Sequence, residues 1–211
     1  MMKTLACITL MFCLLSCKNE ELNRNLALTY ELGDPIYLQS GDSAYIHNEN
    51  ITIKFNRLVS DSRCPQGGVC VWAGEAIGEI KFVKDKSQTI LNISTNEGYK
   101  AYNGYLIDLV DVSPYPDLHK PQPTVVTAKI LVKKANDTLL KGTVKDYTGL
   151  DGCGFIIELD NGTKLQPINP SFPFINNQRI VLTYTPLSGI ATICMAGQPA
   201  HINEIYELVE P

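Results

Sequence analysis

The sequence predicts an all-β protein, in which an N-terminal antiparallel β-sandwich is followed by a small OB-like β-barrel. Short segments alternate apolar and polar residues, as residues 51–55 do, and this is the pattern of a strand with one buried face. No long segment with helical periodicity lies between them, and many short strands at this spacing are typical of sandwiches and barrels. Turn residues separate the strands at residues 40–42, 48–50, 85–87 and 96–98.

The predicted sandwich domain covers residues 26–135. After residues 51–55, the next predicted strand carries Trp72 on the same side as Ala76 and Phe82. This shared parity predicts that Trp72, the only tryptophan of the chain, lies in the core and does not form a surface platform for a sugar. Further strands are predicted at residues 89–93, 105–112 and 124–132.

The predicted barrel domain covers residues 136–211, after a polar break at residues 133–137. Asn161-Gly162 indicates a tight hairpin, because both residues accept positive φ. Five or six strands in about 72 residues suit a small closed barrel, and closure removes exposed sheet edges. The predicted strands are residues 140–147, 154–159, 164–168, 179–185, 191–194 and 200–208.

Composition and motifs exclude several classes of function. The chain has 18 basic and 22 acidic residues without a basic run, so a nucleic acid partner is not expected. No hydrolase, zinc-protease or phosphate-loop motif is present, so no catalytic residue and no cofactor is predicted. Carboxylate pairs such as Asp108/Asp111 and Glu204/Glu207 suit solvated faces. A hydrolase of envelope or dietary polysaccharide, which needs two carboxylates at a set separation, stays the alternative function.

The first residues predict export and lipid attachment. A positively charged start precedes the apolar run 5–15, which is too short for a membrane span of about 20 residues. Leu14-Leu15-Ser16-Cys17 resembles the lipobox of bacterial lipoproteins. The resemblance implies that residues 1–16 are a signal peptide, removed by signal peptidase II, and that Cys17 carries a diacylglycerol thioether. The membrane is then a partner through the lipid anchor, without being spanned.

Residues 17–25 are polar and lack apolar periodicity, which predicts a flexible tether. Within them, residues 18–21 resemble the surface-export signal of lipoproteins in Bacteroidota. The expected location is the outer membrane, and both the cell surface and the periplasmic face stay open. The expected function is a non-enzymatic one, either binding a protein or glycan partner or bracing an envelope complex.

Four cysteines remain after the predicted anchor, and an even number in an exported protein predicts disulfides. Cys64 and Cys70 enclose a five-residue turn that contains one proline and two glycines, so their sulfurs can meet. A redox dithiol is the alternative, but the spacing lacks the C-x-x-C geometry that lowers a thiol pKa. Zinc is not expected, because the cysteines lack close ligand pairs and His47, His119 and His201 are scattered.

Two motifs resemble modules of bacterial lipoproteins. Residues 61–76, which read DSRCPQGGVCVWAGEA, resemble the signature of a β-sandwich domain of uncharacterised lipoproteins, and this similarity covers about residues 27–134. Residues 139–208 resemble a recurring C-terminal module of lipoproteins in Bacteroidota. That second resemblance implies a disulfide between Cys153, after Asp-Gly, and Cys194, before Met-x-Gly. Neither resemblance supplies catalytic residues.

Two further features of the sequence suggest modification and binding. Ser43 and Thr138 lie in Asp-Ser/Thr-aliphatic triplets that resemble the O-glycosylation sequon of exported Bacteroidota proteins. The loop of residues 113–123 holds four prolines together with Tyr115, His119 and Lys120. Because prolines lower the entropy cost of ordering a loop on binding, these three residues are candidates for ligand contact. A stiff crossover between strands is the other interpretation.

Overall fold

The structure, a computed structural model, describes residues 28–121, 123–150, 152–169 and 171–210. The predicted signal peptide, Cys17 and the tether of residues 17–25 lie outside these ranges. The described residues form fourteen β-strands and one short 3-10 helix, His47–Glu49, which confirms the all-β class. Within the same ranges, no helix is long and apolar enough to cross a bilayer.

Two sheets form the N-terminal sandwich. One sheet has the strand order β1-β3-β4-β5-β6, and the other contributes the neighbours β7-β8-β9-β2. The pairings within the sandwich are antiparallel except for the short parallel pair β1–β3. The strands are β1 Leu28–Tyr30, β2 Ile36–Gln39, β3 Ser43–Ile46, β4 Ile51–Asp61, β5 Ala76–Lys84, β6 Ser87–Ser94, β7 Lys100–Tyr102, β8 Tyr105–Ser113 and β9 Thr127–Lys134.

The sandwich core follows the alternation of the sequence. In β4, Ile53 and Phe55 are fully buried while Lys54 between them is not, and Phe82 of β5 continues the same layer. Ile107 and Leu109 of β8 face them from the second sheet within one cluster of buried side chains. Removal of this apolar surface from water is the main stabilising contribution to the domain.

Five strands close the C-terminal barrel. The pairing runs β10-β11-β12-β14-β13 and back to β10, with β12–β14 parallel and the other pairs antiparallel. This closed five-stranded order confirms the OB-like barrel, whose own core includes Val144, Ile157, Leu165 and Leu182. The strands are β10 Leu140–Asp146, β11 Phe155–Leu159, β12 Lys164–Pro167, β13 Arg179–Pro186 and β14 Gln198–Leu208.

The prediction of a strand at residues 191–194 is wrong. Residues 191–194 lie in the loop between β13 and β14, without ladder pairing. Ile193 is exposed there, and Cys194 is buried because of its disulfide. The apolar residues of this segment therefore belong to a loop that the disulfide joins to the β10–β11 loop, and they do not form a strand.

Strand β14 joins the two regions. Beyond the barrel it pairs in parallel with β7, Glu207 opposite Lys100 and Leu208 opposite Ala101, so a single nine-stranded sheet crosses from barrel to sandwich. A small third cluster of buried side chains, Ala101, Leu106 and Val181, lies at this junction. The boundary expected at residue 136 falls in the link between β9 and β10.

Candidate binding surfaces

The loop of residues 62–75, here called the Trp72 loop, connects β4 to β5 at one end of the sandwich. Two backbone hydrogen bonds extend the ladder into its base: the N–H of Ser62 donates to Glu75 O at 2.8 Å, and that of Cys64 donates to Ala73 O at 2.8 Å. The loop is therefore held at its base as a continuation of the hairpin.

The predicted disulfide between Cys64 and Cys70 is present, with the two Cα atoms 5.8 Å apart. Gly74 is required at the return of the loop, because its φ is +69° and a β-carbon there would lie 1.9 Å from the carbonyl oxygen of Ser62. Beyond this close approach, regular pairing begins at Ala76.

Trp72 is exposed, so the prediction that it lies in the core is wrong. Its exposed fraction is 83%, that of Val71 is 91%, and Val69 is fully exposed. Side-chain parity holds only along a continuous strand, and the backbone leaves the strand between Cys64 and Ala76. The tip of the Trp72 loop consequently presents three apolar side chains to solvent.

Arg63 fixes the base of this loop. Its side chain is only 6% exposed. The guanidinium donates to both carboxylate oxygens of Asp61, at 2.9 and 2.7 Å, to Asp111 at 3.2 Å and to the carbonyl of Val112 at 2.6 Å. It also lies 4.5 Å from the ring centroid of Tyr115. The hydrogen bonds to Asp61 raise the pKa of Arg63, so its charge is fixed.

The proline-rich connection between β8 and β9 packs beside the Trp72 loop. The N–H of Gln66 donates to Pro116 O at 2.8 Å, and the N–H of Leu118 donates to Gln66 O at 3.2 Å. A shallow cavity of about 210 Å³ lies beside this contact, with Tyr115 and Lys120 in its lining. The connection therefore supports the Trp72 loop from one side.

The three candidate contact residues of this connection lie together, and each has a partner within the protein. Tyr115 lies under Arg63, and His119 packs against Gly67, whose β-carbon would be 3.3 Å from Nε2. Lys120 Nζ lies 2.9 Å from Asp117 Oδ2. The backbone N–H of His119 and the Lys120 ammonium lower the pKa of Asp117. These contacts suit a stiff crossover, and a role in ligand binding stays a prediction.

A second exposed apolar surface lies on the barrel. The disulfide between Cys153 and Cys194 is present, with a Cα–Cα distance of 4.7 Å, and it ties the β10–β11 loop to the β13–β14 loop. Gly152 packs directly under Ile193, because a β-carbon on that glycine would lie 2.4 Å from Cγ2 of the isoleucine. Four apolar side chains of these two loops are exposed, and together they are here called the barrel-loop patch: Leu150, Ile190, Ile193 and Met195.

Sequence reasoning missed both surfaces. Exposed apolar residues have the same composition as core residues, so only their position outside the ladders identifies them. In the barrel, the sequence signal was the unusual run Ile193-Cys194-Met195, in which two apolar residues flank a cysteine without strand alternation on either side.

The two candidate glycosylation sites are both exposed. Ser43 is the first residue of β3, directly after a turn. Thr138 lies in the link between β9 and β10, where its backbone N–H donates to Oδ1 of Asn136 at 3.1 Å. Glycosylation at either position stays a prediction.

No protein family model, no curated protein and no solved structure matches this chain. The resemblances to lipoprotein signals and lipoprotein modules therefore stay predictions.

Proposed function

We propose that this chain is an envelope lipoprotein, anchored to the outer membrane through Cys17, that binds a partner and catalyses no reaction. The lipobox supports the anchor. The two disulfides support export, because such bonds form and persist in oxidising compartments.

The observation that carries the binding function is the barrel-loop patch. Ile193 is 80% exposed and Met195 is 95% exposed on a loop that the disulfide fixes in place. Methionine adapts to apolar partner surfaces and is enriched at protein interfaces. A glycan presents dense hydroxyl groups that need hydrogen-bond partners, which this patch lacks in its side chains. The expected ligand is therefore a protein.

Carboxylates beside the shallow cavity and on the barrel are paired with arginines. Beside the shallow cavity, Asp111 and Asp61 pair with Arg63. On the barrel, Arg179 lowers the pKa of Asp160 through a bidentate hydrogen bond. A glycosidase needs one carboxyl group with a raised pKa as its general acid. Asp160 has the opposite electrostatic environment, which disfavours it as a general acid.

Site-specific photo-crosslinking in intact cells tests the binding function. A photoreactive residue at Met195 is expected to give a discrete protein adduct, and one at Ile90, an apolar position on β6 of the sandwich that is 58% exposed, is expected to give none. Absence of an adduct at Met195, combined with cleavage of a polysaccharide by the purified protein, would contradict the proposal and favour the hydrolase.

A further inference from the structure

The Trp72 loop is an apolar projection on a rigid base. Val69, Val71 and Trp72 are each more than four-fifths exposed. The disulfide, the hydrogen-bonded base and the contact of Gln66 with the proline-rich connection hold the backbone in place. A rigid loop cannot collapse to bury these side chains, so they remain available to an apolar environment outside the protein.

The register of the sheet shows which end of the sandwich the N-terminal end of β1 faces. Leu28 of β1 lies opposite Ala44 of β3, and Ala44 lies opposite Ile53 of β4, while Tyr30 aligns through Ile46 with Ile51. The direction from Tyr30 back to Leu28 is therefore the same as the direction from Ile51 to Asp61 along β4. The Trp72 loop begins directly after Asp61, so the N-terminal end of β1 faces the same end of the sandwich.

The chain between Cys17 and Leu28 is long enough for the lipid and the Trp72 loop to meet the same membrane surface. Eight residues separate Ile53 from Asp61, which corresponds to at most about 26 Å along a strand. Eleven residues separate Cys17 from Leu28, and these can span up to about 36 Å. At full extension, this chain can thus place a lipid on Cys17 about 10 Å past Asp61, in the region of the Trp72 loop.

The opposite end of the sandwich leads to the barrel. In the β8–β9 hairpin, Ser113 pairs with Thr127 at the end near the Trp72 loop, and Tyr105 pairs with Lys134 at the far end. The chain leaves for β10 directly after Lys134. Contact between the Trp72 loop and a membrane would therefore leave the link to the barrel uncovered.

We propose that the Trp72 loop docks on the lipid bilayer, placing Val69, Val71 and Trp72 in the interfacial layer next to the anchor. Tryptophan favours this layer because its ring is apolar and its indole N–H is polar, and the two valines add apolar area that leaves water. Since the anchor already holds the chain at the membrane, docking acts mainly to fix the orientation of the molecule. This inference rests on the proposed anchor at Cys17.

The fluorescence of Trp72 tests the docking directly, because no other tryptophan contributes. Full-length protein purified from palmitate-labelled cells is reconstituted into vesicles of phosphatidylethanolamine and phosphatidylglycerol. Docking predicts a blue shift of the emission, loss of quenching by acrylamide and quenching by brominated lipids. Val71→Asp and Val69→Asp are each expected to reverse all three effects and to keep the palmitate label. Ile90→Asp, an exposed apolar position on β6, is the matched control and is expected to change none.

The palmitate label distinguishes failure of the docking from failure of the anchor at Cys17. Labelled protein whose Trp72 stays open to acrylamide overturns the docking and leaves the anchor standing. Protein without label overturns the proposed anchor. Protection of Trp72 that requires an added protein or glycan and does not occur in lipid vesicles also overturns the docking, because the occupant is then a macromolecular ligand.

Discussion

At the scale of single residues, Arg63 shows how a buried charge organises a loop. Its guanidinium satisfies two carboxylates and a carbonyl while stacking on Tyr115. Lysine keeps the charge but lacks the planar guanidinium, with its several N–H donors and its face for stacking on an aromatic ring.

Arg63→Lys is therefore expected to lower the free energy of unfolding by about 2 kcal/mol, because buried acceptors lose donors. Urea unfolding at neutral pH measures the change. Arg57→Lys is the control, since Arg57 pairs with Glu79 but is 60% exposed, and its substitution should change stability by less than about 0.5 kcal/mol. Equal effects of the two variants would show that burial of Arg63 contributes nothing.

Asp108 makes the pH dependence of stability testable. Burial raises the pKa of its carboxyl, against the attraction of Lys133. The folded chain therefore holds this proton more tightly than the unfolded chain, so the contribution of Asp108 to stability falls as pH rises from the unfolded pKa through the folded one.

Asp108→Asn removes this titration. The variant is expected to gain stability relative to the wild type between about pH 3 and pH 7. Urea midpoints across that range measure the gain, with Asp137→Asn, at an exposed position in the link, as the control. A difference that stays constant with pH, or one that shifts in favour of the wild type as pH rises, contradicts the burial of Asp108.

At the scale of elements, the two disulfides close loops of very different length. Cys64 and Cys70 are 6 residues apart in sequence, and Cys153 and Cys194 are 41 apart. In the chain-entropy model the longer loop restricts the unfolded chain more.

Replacing both cysteines of a pair by alanine is expected to cost about 4 kcal/mol for Cys153–Cys194 and about 2 kcal/mol for Cys64–Cys70. Urea unfolding of each double variant measures these losses, and each variant serves as the control for the other. A larger loss for the short loop would show that native packing around Cys64, and not loop entropy, sets the order.

The strands themselves were largely predictable because their signal is local. Alternation identified Ile53 and Phe55 as core, and Asn161-Gly162 identified the β11–β12 turn, where Gly162 has a φ of +87°. The short strands β1, β2, β3 and β7 offer too few residues for a period to be read. Trp72 was misplaced because its parity with Ala76 continues across Gly74, where the backbone departs from the strand.

At the scale of the whole molecule, the nine-stranded sheet couples the two domains. Tyr206 of β14 lies 6.2 Å from Tyr99, centroid to centroid, and Lys133 lies 4.1 Å from the Tyr99 ring. Pairing between β7 and β14 joins residues about a hundred positions apart, and local periodicity carries no information on such contacts.

Tyr206→Ala is expected to weaken this coupling, because it removes a partly buried ring from the junction. The wild type should unfold in urea in one transition and the variant in two, with the smaller barrel unfolding first. Tyr37→Ala, at a half-exposed position on β2, is the control and should keep one transition. A variant that still unfolds in one transition would mean that the β7–β14 backbone pairing alone couples the domains.

In the proposed function, attachment of the whole molecule to a membrane depends on the thiol of Cys17. Metabolic labelling with palmitate, followed by fractionation of the envelope, measures that attachment. We expect label on the wild type and on Cys13→Ser, a cysteine of the predicted signal peptide, with both proteins in the outer-membrane fraction. Cys17→Ser should carry no label and leave that fraction. Palmitate label that persists in Cys17→Ser would contradict the lipid anchor and the function proposed from it.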